Sequence, residues 1–447
     1  MTSPLTIERL LSPVRRPGQA AAARLLRNPP LAALLLHLGL LAAVYSALYC
    51  FGYVNQLPNN ISLQKWDVID LMAVRDIGYA DPTRGYNAFF PLAPLVWRYA
   101  HLNLLDAAAL NLTVTTIGMY VLARTLNFNG RQTLLIASAP LLMFTMVPYT
   151  EGFFYFFGAL MLCGLHRDKL PLTLIGLLGC CLTRSAGTLF VPAYLFAELL
   201  AWGSLSSGLR LVRNLLAGLL AIATSIGIVM LMQWQQGGDP FAFYNVHALW
   251  GHKFRLPVEY LSSSAGTPAL WLDALSLMVS LMALVSCAAL GLRWLKQRSS
   301  ASTTELPASK AVLFALGYTV GAGFFIVFYQ AGDLVGLSRY LLATPFWAAL
   351  LAWAWHTQWA TPRVVLAIVA SAVAVGLMVG MPTLMVNFAP GEGLWFFGLI
   401  ALYLTGYWLT RPDRFRWYRE VATGLYFLNL FTLCFLLNLF FNTVWVN

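Results

Sequence analysis

Two carboxylates three residues apart stand in the segment that follows the first long apolar run of the chain. If residues 66–77 form a helix, Asp67 and Asp70 lie on one face of it. Two neighbouring carboxylates raise each other's pKa, and one of them would then suit a general base acting on a hydroxyl group. The same pattern is typical of an amphipathic helix at a membrane surface, with Trp66 anchored among lipid headgroups. The residues of this segment leave both interpretations open.

Three further charged residues stand where apolar runs begin or end. Glu151 follows Tyr149 and Thr150, and it would also serve as an acidic cap on the first turn of a helix. Arg184 falls between two short apolar runs, and Arg339 opens another. A guanidinium group at such a place suits a phosphate or a carboxylate, although extension of the Arg184 side chain to the surface is the simpler explanation.

A fourth polar segment covers residues 238–257. Its local pattern predicts a turn, a capping Asp239 and an interfacial helix that carries Trp250. His247 and His252 are five residues apart, so they do not share a helical face, and we predict no metal site there. Two arginines, several acidic groups and Tyr340 on one face of the molecule resemble a site for an anionic lipid headgroup.

The composition decides the class of protein that carries these residues. Of 447 residues, 59% are apolar and 10% are charged, and the mean hydropathy is +0.70. Soluble domains average about 45–50% apolar and about 25% charged residues. A soluble enzyme, a disordered chain and a disulfide-built secreted module are therefore excluded. The six cysteines all fall inside apolar runs without the spacing of metal ligands, and we interpret them as packing residues.

The apolar runs predict an all-α bundle of about 11–13 membrane spans in a single domain, residues 1–447. The segment 88–104 fits an interfacial helix better than a span, and the runs 170–183 and 187–202 are short for a full crossing. The thirteen candidate spans are residues 31–53, 107–125, 131–148, 150–166, 170–183, 187–202, 212–234, 267–292, 311–330, 339–357, 363–386, 394–410 and 421–444.

The basic residues predict the orientation of the bundle. If the N terminus is in the cytoplasm, most of the 28 Lys and Arg residues fall on the cytoplasmic side. This agrees with the positive-inside rule, by which short cytoplasmic loops are enriched in Lys and Arg. The net charge of +11 is then a consequence of topology, and no nucleic-acid partner is needed. The long loops 54–106 and 235–266 lie outside, the basic loop 293–310 lies inside, and the candidate site residues gather on the extracytoplasmic face.

Five motifs in one order resemble the PIG-V type of mannosyltransferases, which are integral membrane glycosyltransferases of the GT-C class. The resemblance spans roughly residues 31–350, and the last hundred residues match only as apolar spans. Asp70, Leu71, Val74, Arg75 and His247 depart from the usual pattern. The motifs are Trp66-Asp67 with Gly78-Tyr79 and 88–95, Tyr149-Thr150-Glu151, 183–187, 238–243 with Trp250 and Pro257, and 338–341 with Pro345.

The resemblance implies inverting transfer of a sugar from a polyprenyl-phosphate donor to an acceptor hydroxyl, and mannose is the usual sugar of the family. The acceptor is a glycan, a lipid or a protein, membrane lipids surround the site, and a partner subunit is an open question. Neither a metal nor another cofactor is required. We expect Asp67 to be the base. The remaining expected roles are phosphate binding by Arg339, Arg184 and Lys65, and substrate positioning by Asp70, Glu151, Asp239, Trp66, Trp250, Tyr340 and His247.

Two other classes compete with this interpretation. A transporter or lipid flippase would also carry charges near its spans, although no matching repeats are visible and the charges lie at one surface. A noncatalytic membrane subunit could share the motifs without the activity. The substitution Asp67→Asn separates these classes, because only the enzyme loses transfer.

Overall fold

The computed structural model describes residues 28–202, 208–258, 260–264, 267–299, 308–379 and 390–446. Within these residues the regular structure is helical, and the β pairing shown is an isolated bridge between Ser262 and Asp333. The helices are α1 (Pro29–Cys50), α2 (Asp67–Ile77), α3 (Leu92–Tyr99), α4 (Leu104–Thr125), α5 (Gly130–Ala137), α6 (Glu151–His166), α7 (Leu170–Thr183), α8 (Phe190–Ala201), α9 (Gly208–Gly237), α10 (Ala242–Asn245), α11 (Thr267–Ser299), α12 (Lys310–Tyr329), α13 (Leu337–Leu341), α14 (Pro345–His356), α15 (Thr361–Met378), α16 (Pro390–Leu409) and α17 (Tyr418–Phe441). Short 3-10 helices cover Gly85–Ala88, Pro140–Thr145, Ser185–Leu189 and Val246–Trp250.

Seven helices of the described residues are long and apolar enough to cross a membrane. They are α1, α4, α9, α11, α12, α15 and α17. The shorter apolar helices α6, α7 and α8 lie among them. The prediction of an all-α, multi-pass membrane protein is therefore confirmed, and the predicted total of 11–13 crossings stays a prediction.

Proline divides two of the predicted spans. The predicted span 131–148 consists of α5 and a 3-10 helix that begins at Pro140, and the predicted span 339–357 consists of α13 and α14. Thr344, before Pro345, has extended backbone angles, φ −115° and ψ 158°. A proline ring disfavours helical geometry in the preceding residue and removes one backbone donor, which explains both breaks. Residues 1–27 and 380–389, which the predicted orientation and one predicted span include, lie outside the described residues.

Helix α6 lies at the centre of the bundle. It packs against α4, α7, α12 and α14. Its contact with α7 is close at Gly176, where an added Cβ atom would lie 2.5 Å from the backbone nitrogen of Met161. A helix so enclosed holds its first residue, Glu151, buried at one end of the bundle.

The end of α9 joins two loops at that same end of the bundle. The Gln233 amide donates to the Asn87 carbonyl at 2.9 Å, and its oxygen accepts from the Phe243 backbone N–H at 2.8 Å. Gln236 accepts from the Tyr79 backbone N–H at 2.8 Å. The two glutamines therefore hold the loop that carries α2 beside the segment that carries α10.

Candidate functional site

A cavity of about 670 Å³ lies at this end of the bundle. A volume of this size lies within the range of pockets that hold small molecules, about 300–1,000 Å³. The helices that contribute to it begin or end there, so side chains distant in sequence meet at its wall. The predicted site residues that line the cavity are Trp66, Asp67, Asp70, Arg184, His247, Trp250, Arg339 and Tyr340.

Two arginines and two carboxylates form a linked ion-pair cluster at the cavity. Arg339 donates from Nη1 to Asp67 Oδ2 at 2.6 Å and from Nε to Glu151 Oε1. Arg184 donates from Nη1 to the same Glu151 oxygen. The side chains of Arg184 and Arg339 are 12% and 13% exposed, Glu151 is 1% exposed and Asp67 is 28% exposed. The cluster is electrically balanced, and Asp67 is its most accessible carboxylate.

Glu151 is held behind the arginines by the turn that precedes α6. The Asn111 amide donates to the carbonyls of Val147 at 2.7 Å and Tyr149 at 2.6 Å. Gly152 permits this approach, since an added Cβ atom there would lie 2.9 Å from the Asn111 backbone. From this position Glu151 pairs with both arginines. Its negative charge therefore stabilises the ion-pair cluster in addition to the first turn of α6.

Trp66, the residue before Asp67, has an uncommon backbone conformation. Its φ angle is +51°, a region that residues with a large side chain rarely adopt, and α2 begins at the next residue. The indole ring stacks on Trp445 with ring centroids 5.7 Å apart. Such strained residues persist where surrounding packing enforces them and are frequent at functional sites.

Arg339 is placed by the short helix α13 and by a buried carboxylate. Asp273 Oδ1 accepts from the Ser338 backbone N–H at 3.2 Å, and Asp273 Oδ2 accepts from the Ser263 hydroxyl at 2.5 Å. The Arg339 guanidinium lies 4.6 Å from the Tyr149 ring centroid, which adds a cation–π contact. These contacts fix the guanidinium at the cavity wall.

Arg184 follows α7 in an extended conformation that turns its side chain toward the cavity. Its guanidinium lies 5.1 Å from the Tyr340 ring centroid and 5.8 Å from that of Phe154. Tyr340 therefore contacts one arginine and is the chain neighbour of the other.

The second carboxylate of α2 lies in a different environment from the first. Burial and then the charge of Asp67 raise the pKa of Asp70 to about 6. An added Cβ atom at Gly85 would lie 3.3 Å from the Trp250 ring and 4.0 Å from Asp70 Oδ1, so this glycine lets Trp250 and Asp70 approach each other. Asp70 and Trp250 thus form a wall distinct from the arginine cluster.

Two histidines line the same wall as neutral imidazoles. Burial and then His252 lower the pKa of His247 to about 4, and burial lowers the pKa of His252. Their ring centroids lie 5.9 Å apart. In the described residues no three His, Cys, Asp or Glu side chains lie close enough together to hold a metal ion.

Three predicted site residues do not line the cavity. Lys65 and Asp239 lie outside its lining, and Glu151 lies behind it. Asp239 accepts from the Phe241 backbone N–H and from the Asn245 amide, both at 2.9 Å, so it caps the turn before α10. That local role agrees with the capping interpretation of its sequence.

Sequence analysis did not assign several polar and aromatic residues of the lining to the site. His252, Asp333 and Trp445 line the cavity without having been expected in the site. Asp333 accepts from the Ser264 hydroxyl at 2.6 Å and ties two loops together. His252 lies within the polar segment 238–257 and Asp333 lies shortly before the motif 338–341, so both could have been considered. Trp445 follows the last helix, and no motif marks it.

Comparison with known proteins adds little to this description. No family model matches the chain, and no curated protein matches it. A similar solved structure is the crystal structure of ArnT from Cupriavidus metallidurans in the apo state. It is 13% identical with a TM-score of 0.34, and the alignment covers 92% of this chain and 76% of that chain. A likeness this weak carries no argument about fold family or activity.

The fold and the site together define a class. The protein is a multi-pass helical membrane protein with a charged and aromatic cavity at one end of its bundle.

Proposed function

We propose that this protein is an inverting glycosyltransferase of the GT-C type, with a polyprenyl-phosphate sugar as its donor. The observation that carries the proposal is the ion-pair cluster. Asp67, Glu151, Arg184 and Arg339 come from four of the motifs that resemble PIG-V mannosyltransferases, and they meet at one cavity. Mannose is the sugar that the resemblance implies.

The two arginines suit the leaving group of such a reaction. In an inverting transfer the acceptor oxygen bonds to the anomeric carbon while the bond from that carbon to the phosphate oxygen breaks. The electron pair of the broken bond leaves with the polyprenyl phosphate. Arg339 and Arg184 place two cationic donors at the cavity, where low exposure to water strengthens their interaction with phosphate.

Asp67 is the proposed base that takes the proton of the acceptor hydroxyl. It is the more exposed carboxylate of the cluster, and it stands at the start of α2 beside the cavity. One of its oxygens accepts from Arg339. A donor phosphate competes with Asp67 for that guanidinium, so donor binding loosens the ion pair and makes the carboxylate available to the acceptor.

The aromatic wall is the proposed place for the sugars. Trp66, Trp250 and Tyr340 line the cavity, and Asp70 offers a hydrogen-bonding group in the same lining. The proposed orientation follows the basic residues of the loops, with this cavity on the extracytoplasmic face and the N terminus in the cytoplasm. The acceptor is a glycan, lipid or protein hydroxyl.

The test is a transfer assay with purified protein in lipid nanodiscs. A polyprenyl-phosphate mannose is supplied with membrane extract as the source of acceptors, and the anomeric configuration of the product is determined by NMR. The proposal predicts a mannosylated product with the configuration opposite to that of the donor. Retention of configuration would refute the inverting mechanism. Absence of transfer, with movement of the intact donor across the bilayer of sealed liposomes that contain the protein, would favour a flippase.

A further inference from the structure

The segment that leads away from the cavity wall at His252 exposes a series of large apolar side chains. In residues 252–258, which we call the strap, Phe254 is 61% exposed, Leu256 75% and Val258 95%. The strap is not helical, and its backbone is tied to the end of α12. Lys253 and Arg255 donate their backbone N–H groups to the carbonyls of Tyr329 and Phe328, both at 3.0 Å.

These exposed side chains are continuous with the cavity wall through a chain of ring contacts. His252 lines the cavity, and its ring centroid lies 5.7 Å from that of Tyr329. The Tyr329 centroid in turn lies 5.3 Å from that of Phe254, and Phe254 lies 6.0 Å from Phe325 of α12. The inner edge of the strap therefore faces the cavity, and its outer edge is apolar.

The chemistry of the strap places it at the boundary between headgroups and acyl chains. Irregular backbone does not lie exposed in the hydrocarbon region, because its polar groups find no partners there. Large apolar side chains, however, gain by contact with acyl chains, and basic side chains gain by contact with lipid phosphates. Lys253 and Arg255 alternate with Phe254 and Leu256, as such a position requires.

We propose that the polyprenyl chain of a phosphate-linked lipid crosses the strap as it passes from the bilayer into the cavity. This inference rests on the proposed function only for the identity of the lipid. The phosphate at Arg339 and Arg184 and the lipid tail in the bilayer need an apolar connection. The strap, with Phe324 and Phe325 on the adjoining turn of α12, supplies one that begins at the cavity wall.

The test uses a polyprenyl phosphate without sugar, with a photoreactive diazirine in the isoprene units that follow the second. It is bound to the wild-type protein in nanodiscs, irradiated, and the labelled peptides are mapped by mass spectrometry. We expect labels on residues 249–258 and 321–329 that excess unlabelled polyprenyl phosphate removes. Labels spread equally over the exposed face of α15, or labels that the competitor does not remove, would overturn the proposed path.

A pair of variants gives a second measurement. Phe254→Ser should raise the KM for a long-chain donor roughly fivefold while leaving kcat unchanged, because in lipid only packing contacts are lost. The KM for a two-isoprene donor should not change. Leu366→Ser, at a residue of α15 that is 68% exposed, is the matched control and should change neither value. Equal effects of Phe254→Ser on both donors would contradict the inference.

The outcomes for the path and for the function are separable. Specific labelling of the strap without any sugar transfer would support the path and refute the glycosyltransferase. Transfer without labelling of the strap would support the enzyme and overturn the path.

Discussion

Removal of the charge of Glu151 tests the architecture of the ion-pair cluster. Glu151→Gln keeps the size of the side chain but removes the carboxylate that Arg184 and Arg339 share, and Asp67 then pairs with Arg339 only. The cluster then changes from electrically balanced to a net charge of one positive unit. The amide oxygen that remains can still accept from a guanidinium, but it carries no full negative charge, and the amide nitrogen that replaces the other oxygen only donates.

The expected loss of stability follows from burial. Glu151 is 1% exposed and its two arginines are 12% and 13% exposed, so these are buried ion pairs. Removing one partner of a buried pair typically costs about 3–5 kcal/mol, because the other charge remains uncompensated. If Glu151 only capped the first turn of α6, the loss would be about 0.3–1 kcal/mol.

The assay is unfolding in a mixed-detergent titration, with and without saturating polyprenyl phosphate. Since the variant lacks one of the carboxylates that compete for the arginines, the phosphate should stabilise Glu151→Gln more than it stabilises the wild type. Asp76→Asn is the control on α2. Asp76 pairs with Arg75 at 2.6 Å, but it is 53% exposed, so its loss should cost less than about 1 kcal/mol.

The reasoning is refuted if Glu151→Gln loses no more stability than Asp76→Asn. It is also refuted if the added phosphate stabilises the variant and the wild type equally. Glu151 would then not compete with the phosphate for the two guanidinium groups.

Three further substitutions test other parts of the site. The fold raises the pKa of Asp70 from 3.8 to about 6, so ionisation of Asp70 costs stability above pH 6 and costs nothing below about pH 4. Asp70→Asn should therefore raise the unfolding temperature at pH 8 but not at pH 4, and equal effects at both pH values would contradict this. Arg339→Lys should weaken polyprenyl phosphate binding roughly tenfold, since an ammonium group cannot bind two oxygens in parallel, and unchanged binding would remove Arg339 from the phosphate site. Trp445→Ala should lower the free energy of unfolding by about 1 kcal/mol beyond the loss of buried area, because the stack on Trp66 is lost, and a double-mutant cycle with Trp66→Ala that shows no coupling would refute this contact.

Local patterns predicted those parts of the site that depend on one element. The spacing of Asp67 and Asp70 predicts that they share a helical face, and both line the cavity from α2. The positions of Arg184 and Arg339 at the ends of apolar runs predict that they meet on one face of the bundle. They do so, because α7 ends and α13 begins beside the same cavity.

The pairing within the site depends on tertiary structure and is not visible in the sequence. An acidic residue before an apolar run has the same local pattern as a helix cap and as an ion-pair partner, and only the positions of Arg184 and Arg339 decide between them for Glu151. Trp445 reaches Trp66 only because α17 ends at the cavity. The strain at Trp66 likewise has no signature in its residue type.

The predicted membrane spans show the same limit of prediction from local sequence patterns. Apolar composition predicts burial in a membrane but does not separate one crossing from two short helices. In residues 131–148 and 339–357 the position of a proline decides the outcome.

The most direct test of the central proposal measures donor binding and sugar transfer for the same Asp67→Asn preparation. The variant keeps the cavity and both arginines, so it should bind polyprenyl-phosphate mannose. It should also lose transfer by about a hundredfold or more, the scale of removing a general base. Asp76→Asn serves as the control that keeps both properties. Transfer at the wild-type rate by Asp67→Asn would contradict the assignment of Asp67 as the base.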